Sequence, residues 1–453
     1  MATNAEWQQR SIASVWHPCT QMQRMEVVPP LPMARGEGAW LYDYEGNRYF
    51  DANSSWWVNL FGHSDQRLRE ALHRQIDTLP HTMLAGCTHQ PAVELAERLS
   101  QRTGSVLGHA FFASDGASAI EIALKMSFHY WRNLGQARSE FIYVRNGYHG
   151  ETLGALSVTD VAVFRDTYDA LLLKGHEAAS PDARLAQAGQ TAADVALQAA
   201  DSVRALLDTH GTRIAAVIVE PLVQGAAGMA MHDPSYIRAL RTLCDQYGVH
   251  LIADEIAVGF GRTGTFFACE HAGIWPDFIC LSKGLSGGYL PLSLVMTQDA
   301  IYQAFLSDDV ARGFLHSHSF TGNALACTAA LAVLDHFDHN DVLARNAVQA
   351  TYLTQALAAL HQDARIQHAR HCGMIWAWDV RPELAGARFA ERFHLAGRQH
   401  GLLIRPIGNT VYLLPPYLLD QTTSDWLAQA IMATLNDVLE QGNVAGTLEP
   451  AVA

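Results

Sequence analysis

The sequence predicts an α/β protein built on a mostly parallel sheet. Between about Gly104 and Val333, short apolar runs alternate with amphipathic stretches, which is the pattern of strands that cross over through helices. The chain has 453 residues, of which 49% are hydrophobic, so it can bury a large core in two or three lobes. The expected strands are residues 109–113, 140–145, 215–219, 249–254, 278–282 and 293–297.

Helices are expected between these strands. Residues 117–131 carry apolar side chains at helical spacing, and residues 235–247 do likewise after a start signal at Pro234. Residues 174–211 are alanine-rich and polar, which is typical of a surface excursion capped by a helix.

The two ends of the chain predict a smaller α+β domain. A hairpin is expected at residues 39–51, turning on Glu45-Gly46, and the segment after Val333 alternates long helices with strands. Those later strands are expected at 374–380, 402–406 and 411–415. We therefore expect an N-terminal arm and small-domain segment at 1–64, a large domain at 65–333 and a C-terminal small domain at 334–453, with a disordered tail from Gly442.

Composition excludes several classes of function. Lys and Arg number 31 against 45 Asp and Glu, and no basic run stands out, so nucleic acid is not expected as a partner. No signal peptide is expected, because residues 1–11 lack a basic segment followed by an apolar one, and no membrane span is expected, since no stretch approaches 18 uninterrupted apolar residues. The seven cysteines form no Cys-x-x-Cys pair, which favours reduced thiols in a cytoplasmic protein, and the 22 histidines show no convincing metal-ligand spacing.

Lysine is rare in this chain, which contains only Lys125, Lys174 and Lys283. Asp254 ends one predicted strand, and Lys283 directly follows the next. In a parallel sheet both side chains would emerge at the carboxyl edge, where open α/β sheets bind ligands. A lysine there can form a Schiff base with pyridoxal phosphate while the aspartate holds the ring nitrogen protonated. A solvated lysine and a structural carboxylate are the alternatives for either residue taken alone.

Other residues fit the same cofactor. The turn Ser114-Asp115-Gly116-Ala117-Ser118 leads directly into a helix and offers amide groups to a phosphate. Tyr148, between two glycines, suits a ring stacked on the cofactor. Arg405 ends an apolar strand and is a candidate carboxylate anchor, while the pair Trp56-Trp57 is explained either as core or as a pocket wall.

Two weaker motifs point elsewhere. Residues 251–255 resemble the magnesium-binding strand of P-loop ATPases, but none of the three lysines lies in the required Gly-Lys-Ser/Thr context. Residues 259–264 match Gly-x-Gly-x-x-Gly, yet no helix is expected after them, so a nicotinamide-dependent oxidoreductase is a minor alternative. A non-catalytic interaction protein is a further alternative.

Taken together, the chain resembles class III (fold type I) pyridoxal-phosphate aminotransferases over nearly its whole length. The resemblance rests on residues 115–118, 147–150, 219–221, 252–264 and 282–284. Within the class, Trp16-His17-Pro18, Ser54-Ser55-Trp56-Trp57, Ile404-Arg405-Pro406 and Pro415-Pro416-Tyr417 resemble the biotin-pathway branch. This resemblance implies a homodimer that converts 8-amino-7-oxononanoate to 7,8-diaminononanoate, with S-adenosyl-L-methionine as amino donor, by ping-pong kinetics through pyridoxamine phosphate.

The resemblance also implies roles for residues. Lys283 would bind the cofactor covalently and move protons, Asp254 would bind the ring nitrogen, and Tyr148 would stack on the ring and face the substrate. The phosphate would be held by Gly116 and Ala117 and, across the subunit interface, by His318 and Ser319. Trp56, Ser317 and Arg405 would contact substrate.

Two departures from the family pattern concern the amino donor. Cys19 stands where an aromatic hydroxyl is common, and Ser317-His318-Ser319 replaces the commoner Gly-Pro-Thr. Lysine as donor, or a different ω-amino acid transaminase of the same class, therefore stays open.

Overall fold

The structure is a computed structural model that describes residues 2–445. Its strands are β1 (Met33–Glu37), β2 (Trp40–Asp43), β3 (Arg48–Asp51), β4 (His109–Ala113), β5 (Glu140–Val144), β6 (His176–Ala178), β7 (Ile214–Val219), β8 (Val223–Gln224), β9 (Ala230–Met231), β10 (His250–Asp254), β11 (Phe278–Leu281), β12 (Ser293–Thr297), β13 (Ile366–Cys372), β14 (Ile375–Val380), β15 (Leu402–Leu403) and β16 (Thr410–Leu413).

The helices complete the element order. They are α1 (Asn4–Ser14), α2 (Ser54–Trp57), α3 (Gln66–Thr78), α4 (Gln90–Arg102), α5 (Gly116–Asn133), α6 (Leu153–Ser157), α7 (Ala162–Arg165), α8 (Ala192–His210), α9 (Ser235–Tyr247), α10 (Asp299–Gln303), α11 (Ala324–His339), α12 (Val342–Ala356), α13 (Ala358–His361), α14 (Pro382–Ala385), α15 (Phe389–Gln399) and α16 (Gln421–Ala445). Within residues 2–445, no helix is both long and apolar enough to cross a membrane.

The chain divides into two compact units. The first unit takes Met1–Gln66 and Arg345–Ala453, and the second takes Arg67–Ala344. The sequence places its domain boundaries after residues 64 and 333, and this division into an N-terminal segment, a large domain and a C-terminal small domain stays a prediction.

The second unit contains a seven-stranded sheet in the order β4-β12-β11-β10-β7-β5-β6. Neighbours from β11 to β6 are parallel, whereas β12 is antiparallel to both β11 and β4. The six strands predicted in this region are all present, and the predicted α/β class with a mostly parallel sheet is confirmed.

Helices cover both faces of this sheet because side chains alternate along each strand. Val217 and Val219 belong to a buried cluster with residues of α8 and α9. Ala216 and Ile218 point to the other face, where they join a cluster with residues of α5. The carboxyl ends of the parallel strands are thereby left as the open edge of a rigid layer.

The prediction for residues 174–211 is wrong in one respect. The segment is no surface excursion, since β6 pairs with β5 as the edge strand and α8 packs on the sheet. Alanines and valines of α8 form a buried stripe: Val195, Ala196, Ala199, Ala200 and Val203. Alanine is small enough for a helix to lie close to the sheet, so its abundance here indicates close packing and not exposure.

The first unit combines two small sheets with helices. One sheet has the order β1-β2-β3-β15 and the other the order β13-β14-β16. The predicted hairpin is present as β2 and β3, and Gly46 turns with φ +90°. Helix α16 continues through Ala445, so residues 442–445 are helical where the sequence predicts disorder. The rest of the predicted tail lies outside the described residues.

Candidate active site

Asp254 and Lys283 lie at one edge of the sheet in the second unit. Asp254 is the last residue of β10 and pairs with Cys280 of the parallel strand β11. Lys283 follows β11 after Ser282 and begins a short 3₁₀ helix, Lys283–Ser286, with φ +46°. The parallel register therefore brings both side chains to the carboxyl ends of adjacent strands, as the sequence predicts.

Lys283 has the electrostatics of a reactive amine. Burial lowers the pKa of Lys283 from 10.5 to about 8, against the negative charges of Asp254 and Glu220, which raise it. A lysine with this pKa has an appreciable neutral, nucleophilic fraction near neutral pH. The negative charges of the two carboxylates favour the ammonium form.

Glu220 directly follows β7, the strand that pairs with β10, and its side chain is buried. Its carboxylate accepts the Tyr148 N–H at 2.9 Å and the Gly225 N–H at 2.9 Å. Burial raises the pKa of Glu220 to about 7, although the charge of His149 lowers it. Glu220 thus fixes the backbone of the segment that carries Tyr148.

The segment 147–150 supplies both an aromatic ring and an imidazole. Tyr148 is partly exposed, and its hydroxyl donates to Glu151 Oε1 at 2.9 Å. His149 is buried, and its Nδ1 lies 2.7 Å from Asp254 Oδ2. The other carboxylate oxygen of Asp254 accepts the Ile256 N–H at 3.1 Å, so both oxygens have donors.

Two glycines show how closely three loops approach each other. A Cβ on Gly150, which has φ +121°, would lie 2.5 Å from the Cβ of Ala117. A Cβ on Gly116 would lie 3.1 Å from the side chain of Ile256. The start of α5, the segment with Tyr148 and the loop after Asp254 therefore meet in one place.

The first turn of α5 has the form of an anion site. Asp115 caps the helix by accepting the Ser118 N–H at 3.0 Å, and the Ala119 N–H donates to the Asp115 carbonyl. Across residues 2–445, no group accepts a hydrogen bond from the amides of Gly116 or Ala117. Such amides at the positive end of an 18-residue helix suit a phosphate group.

The segment 316–319 lies next to this turn. Lys125 Nζ donates to His316 Nδ1 at 2.8 Å, and His316 Nε2 lies 3.3 Å from His318 Nε2. His318 Nδ1 in turn lies 3.3 Å from the Ser114 hydroxyl. Burial, together with the charge of Lys125, lowers the pKa of His316. Ser317 and Ser319 are exposed in the single chain.

Trp56 and Arg405 lie together in the first unit. The guanidinium carbon of Arg405 is 5.4 Å from the centre of the Trp56 ring, a cation–π distance. Both side chains are exposed, Trp56 by 52%, whereas Trp57 is buried. Trp57 therefore belongs to the core, whereas Trp56 lies on the surface beside the Arg405 cation.

Neither His149 nor Glu220 has a predicted role, yet the structure places both at the centre of the site. The sequence feature that could have identified Glu220 is its position at the end of an apolar run, a position that it shares with Asp254. The other acidic residue of the decoy motif, Glu255, is structural, since its carboxylate accepts the Ala268 and Cys269 N–H groups at 2.7 Å each. Among residues 2–445, no cluster of three or more His, Cys, Asp or Glu side chains is arranged to hold a metal ion.

Comparison with known proteins identifies the family. The model for class III aminotransferases matches residues 21–435, and the chain belongs to this family. The adenosylmethionine-8-amino-7-oxononanoate aminotransferase of Helicobacter pylori is 42% identical over 438 residues, which cover 94% of this chain and 96% of that protein. The protein of the same name from Synechococcus elongatus is 39% identical, with coverage of 94% and 98%.

Solved structures agree with this family assignment. The crystal structure of adenosylmethionine-8-amino-7-oxononanoate aminotransferase from Methanocaldococcus jannaschii superposes with a TM-score of 0.88 at 34% identity, covering 95% of this chain and 98% of that one. An (S)-enantioselective ω-transaminase from Thermomicrobium roseum gives a TM-score of 0.90 at 30% identity, covering 97% and 99%. The fold type I expectation is confirmed.

Pyridoxal 5′-phosphate is the cofactor of this family, and the site fits it. The chain presents an amine with a lowered pKa, a buried carboxylate with both oxygens fixed, and helix amides with no acceptor among residues 2–445. These are the three groups that an aldehyde, a ring nitrogen and a phosphate require. His149 Nε2 is buried and has no partner among the described residues.

Proposed function

We propose that this chain transfers the amino group of S-adenosyl-L-methionine to 8-amino-7-oxononanoate and so forms 7,8-diaminononanoate for biotin biosynthesis. The chemistry is supported above all by the buried Lys283 amine, whose pKa is lowered to about 8 beside Asp254 and Glu220. The choice of substrates is supported by the names of relatives that match over nearly the full chain at 42% and 39% identity.

The cofactor would be held by residues of the second unit. When bound, pyridoxal phosphate supplies an aldehyde that condenses with amines and a ring that accepts the electrons of a broken C–H bond. Gly116 and Ala117 would bind its phosphate through their amides, Asp254 would bind the ring nitrogen, and Tyr148 would cover the ring. His318 is placed beside the phosphate turn by its contact with Ser114.

Lys283 has two tasks in this scheme. Its neutral Nζ would bind the cofactor covalently, and once freed it would take the proton from the substrate carbon and return it to a neighbouring carbon. Asp254 would support removal of the substrate proton, because its negative charge would keep the ring nitrogen of the cofactor protonated. Since the donor leaves before the acceptor enters, ping-pong kinetics follow.

Trp56 and Arg405 would bind the acceptor. The substrate 8-amino-7-oxononanoate is an aliphatic chain that ends in a carboxylate, so it needs an apolar wall and a cation. The exposed Trp56 ring and the adjacent Arg405 guanidinium provide this combination. Ser317 is a further candidate contact to substrate.

A visible absorbance spectrum tests this proposal. The purified protein should show the visible band of the lysine-bound cofactor, and addition of S-adenosyl-L-methionine alone should bleach it. If lysine or small ω-amines bleach the band instead, the amino donor is that amine and not S-adenosyl-L-methionine. That result would favour the alternative transaminases. Absence of any band after addition of pyridoxal phosphate would refute the proposal.

We also infer a homodimer with the cofactor near the subunit interface. The segment that contains Ser319 is flanked by two exposed apolar side chains, Leu315 at 75% and Phe320 at 62% exposure. In a dimer Ser319 would reach the phosphate of the partner subunit, while His318 stays beside the phosphate turn of its own chain. Light scattering should give a dimer mass, and Leu315→Asp should weaken the association. The cytoplasmic location stays a prediction.

A further inference from the structure

The segment Ser54–Trp57 has an unusual backbone. Its four residues all have positive φ, at 49°, 48°, 74° and 72°, and none of them is glycine. Residues with a Cβ rarely adopt this left-handed region because the Cβ crowds the following carbonyl. Four in succession persist only where surrounding contacts enforce them, and such strain is concentrated at functional sites.

Asp51 fastens the start of this left-handed turn. Its side chain is 1% exposed, and its two oxygens accept the Ser55 N–H at 2.7 Å and the Ser55 hydroxyl at 2.6 Å. His63 Nε2 lies 2.9 Å from the same carboxylate. A buried carboxylate with three donors is a rigid support.

Asn53 fastens the turn to the segment that carries Arg405. Its Oδ1 accepts the Arg405 N–H at 2.7 Å, while its Nδ2 donates to the Tyr412 carbonyl at 3.0 Å. Ser54 adds a bond from its hydroxyl to the Leu414 carbonyl at 2.5 Å. One amide side chain thus fixes the spacing between the left-handed turn, the backbone of Arg405 and strand β16.

The result is a fixed pair of side chains on the surface of the first unit. Trp57 is anchored by its Nε1–H, which donates to the Tyr412 hydroxyl at 3.1 Å, so the turn cannot rotate as a body. Trp56, the preceding residue, is consequently presented outward against the Arg405 guanidinium. Adjacent tryptophans thereby serve the core and the surface, with Trp57 buried and Trp56 exposed.

We propose that Asp51 and Asn53 are positioning residues for acceptor recognition. They hold Trp56 and Arg405 as one preformed surface that selects an extended aliphatic chain ending in a carboxylate. This inference rests on the proposed function, which assigns the acceptor to Trp56 and Arg405. Preformation matters because a surface fixed before binding loses little conformational entropy when the substrate arrives.

Hydrogen exchange of the holoenzyme, followed by mass spectrometry, tests the positioning itself. Amides of residues 54–57 should exchange at least tenfold faster in Asp51→Ala and in Asn53→Ala than in the wild type. Asp201→Ala is the matched control, since it makes the same substitution at an exposed carboxylate of α8. Its exchange should remain close to that of the wild type. Unchanged exchange in both alanine variants would overturn the inference, whatever the enzyme's substrate.

A double-mutant cycle tests the link to the acceptor. Asn53→Ala should raise the acceptor KM about tenfold, with the donor half-reaction and the cofactor spectrum unchanged, and should have less than a twofold effect in an Arg405→Met background. A fall in kcat that persists in that background would indicate a structural role only and would overturn the inference. If Arg405→Met alone leaves the acceptor KM unchanged while exchange is faster in Asn53→Ala, the acceptor assignment in the proposed function is wrong.

Discussion

His149 Nδ1 lies 2.7 Å from Asp254 Oδ2, and both side chains are buried. Since a carboxylate only accepts, His149 carries its proton on Nδ1 and donates it to Asp254. With the Ile256 N–H on the other oxygen, the orientation of the carboxylate is set before any ligand binds. Asp254 is thus prepared to meet a positively charged ring nitrogen without reorganisation.

Asp254→Asn should keep the fold and lose catalysis. The amide retains the size of the carboxylate, but it has no negative charge to stabilise a protonated ring nitrogen. We expect kcat to fall by about 100-fold or more, while the melting temperature changes little. Asp201→Asn, on the exposed face of α8, is the control and should have wild-type turnover. Equal activity in the two variants would contradict the role of Asp254.

Lys283→Ala should abolish covalent binding of the cofactor. The chain offers a matched control in Lys174, one of only three lysines, which is exposed. After borohydride reduction, mass spectrometry should find a cofactor adduct in the wild type and in Lys174→Ala, but none in Lys283→Ala. Turnover should disappear in the same variant. An adduct on Lys125 or Lys174 in the wild type would show that the cofactor binds covalently to that lysine and not to Lys283.

The reaction of the apoenzyme with pyridoxal phosphate should depend on pH through Lys283. Only the neutral amine reacts, so the rate should rise about tenfold per pH unit below pH 8 and level off above it, following a pKa of about 8. Glu220→Gln removes a negative charge that raises this pKa, so its profile should shift to lower pH. A shift to higher pH would show that Glu220 acts on Lys283 in another way.

The same group affects stability with a definite sign. The unfolded chain protonates this lysine up to a pKa of 10.5, whereas the folded apoenzyme releases the proton at about 8. Between these values the unfolded state binds more protons, so the contribution of Lys283 to apoenzyme stability becomes more favourable as the pH rises from 8 to 10.5.

The central strands of the large sheet, β7, β10, β11 and β12, could be predicted from sequence because they are apolar runs buried on both faces. Residues 109–113 and 293–297 match β4 and β12 at both ends. β13 was not predicted, since Ile366–Cys372 is rich in histidine and arginine and bends at His368, which has φ +51°. Its partner β14 is wholly buried and was predicted.

The sequence predicts those site residues whose role is evident from the residue and its position alone. Lys283 stands out by rarity and Asp254 by ending an apolar strand, but His149 and Glu220 act through contacts that connect distant segments. The left-handed turn at Ser54–Trp57 is likewise invisible in the sequence, because positive φ is normally expected at glycine or asparagine. Long-range hydrogen bonds, and not local preference, produce it.

Two leucines on helix α8 test the corrected placement of that helix. Leu207 is 1% exposed and belongs to the cluster with Leu240 and Leu251, whereas Leu197 is 49% exposed. Leu207→Ala should lower the free energy of unfolding by about 2–5 kcal/mol, and Leu197→Ala should change it by less than about 0.5 kcal/mol.

Urea denaturation followed by circular dichroism measures this difference. Both substitutions make the same chemical change within one helix, so any effect of helix propensity cancels between them and only the packing against the sheet remains. A large loss for Leu207→Ala alone would show that the alanine-rich face of α8 is core. Equal and small changes would instead restore the interpretation of residues 174–211 as a surface excursion.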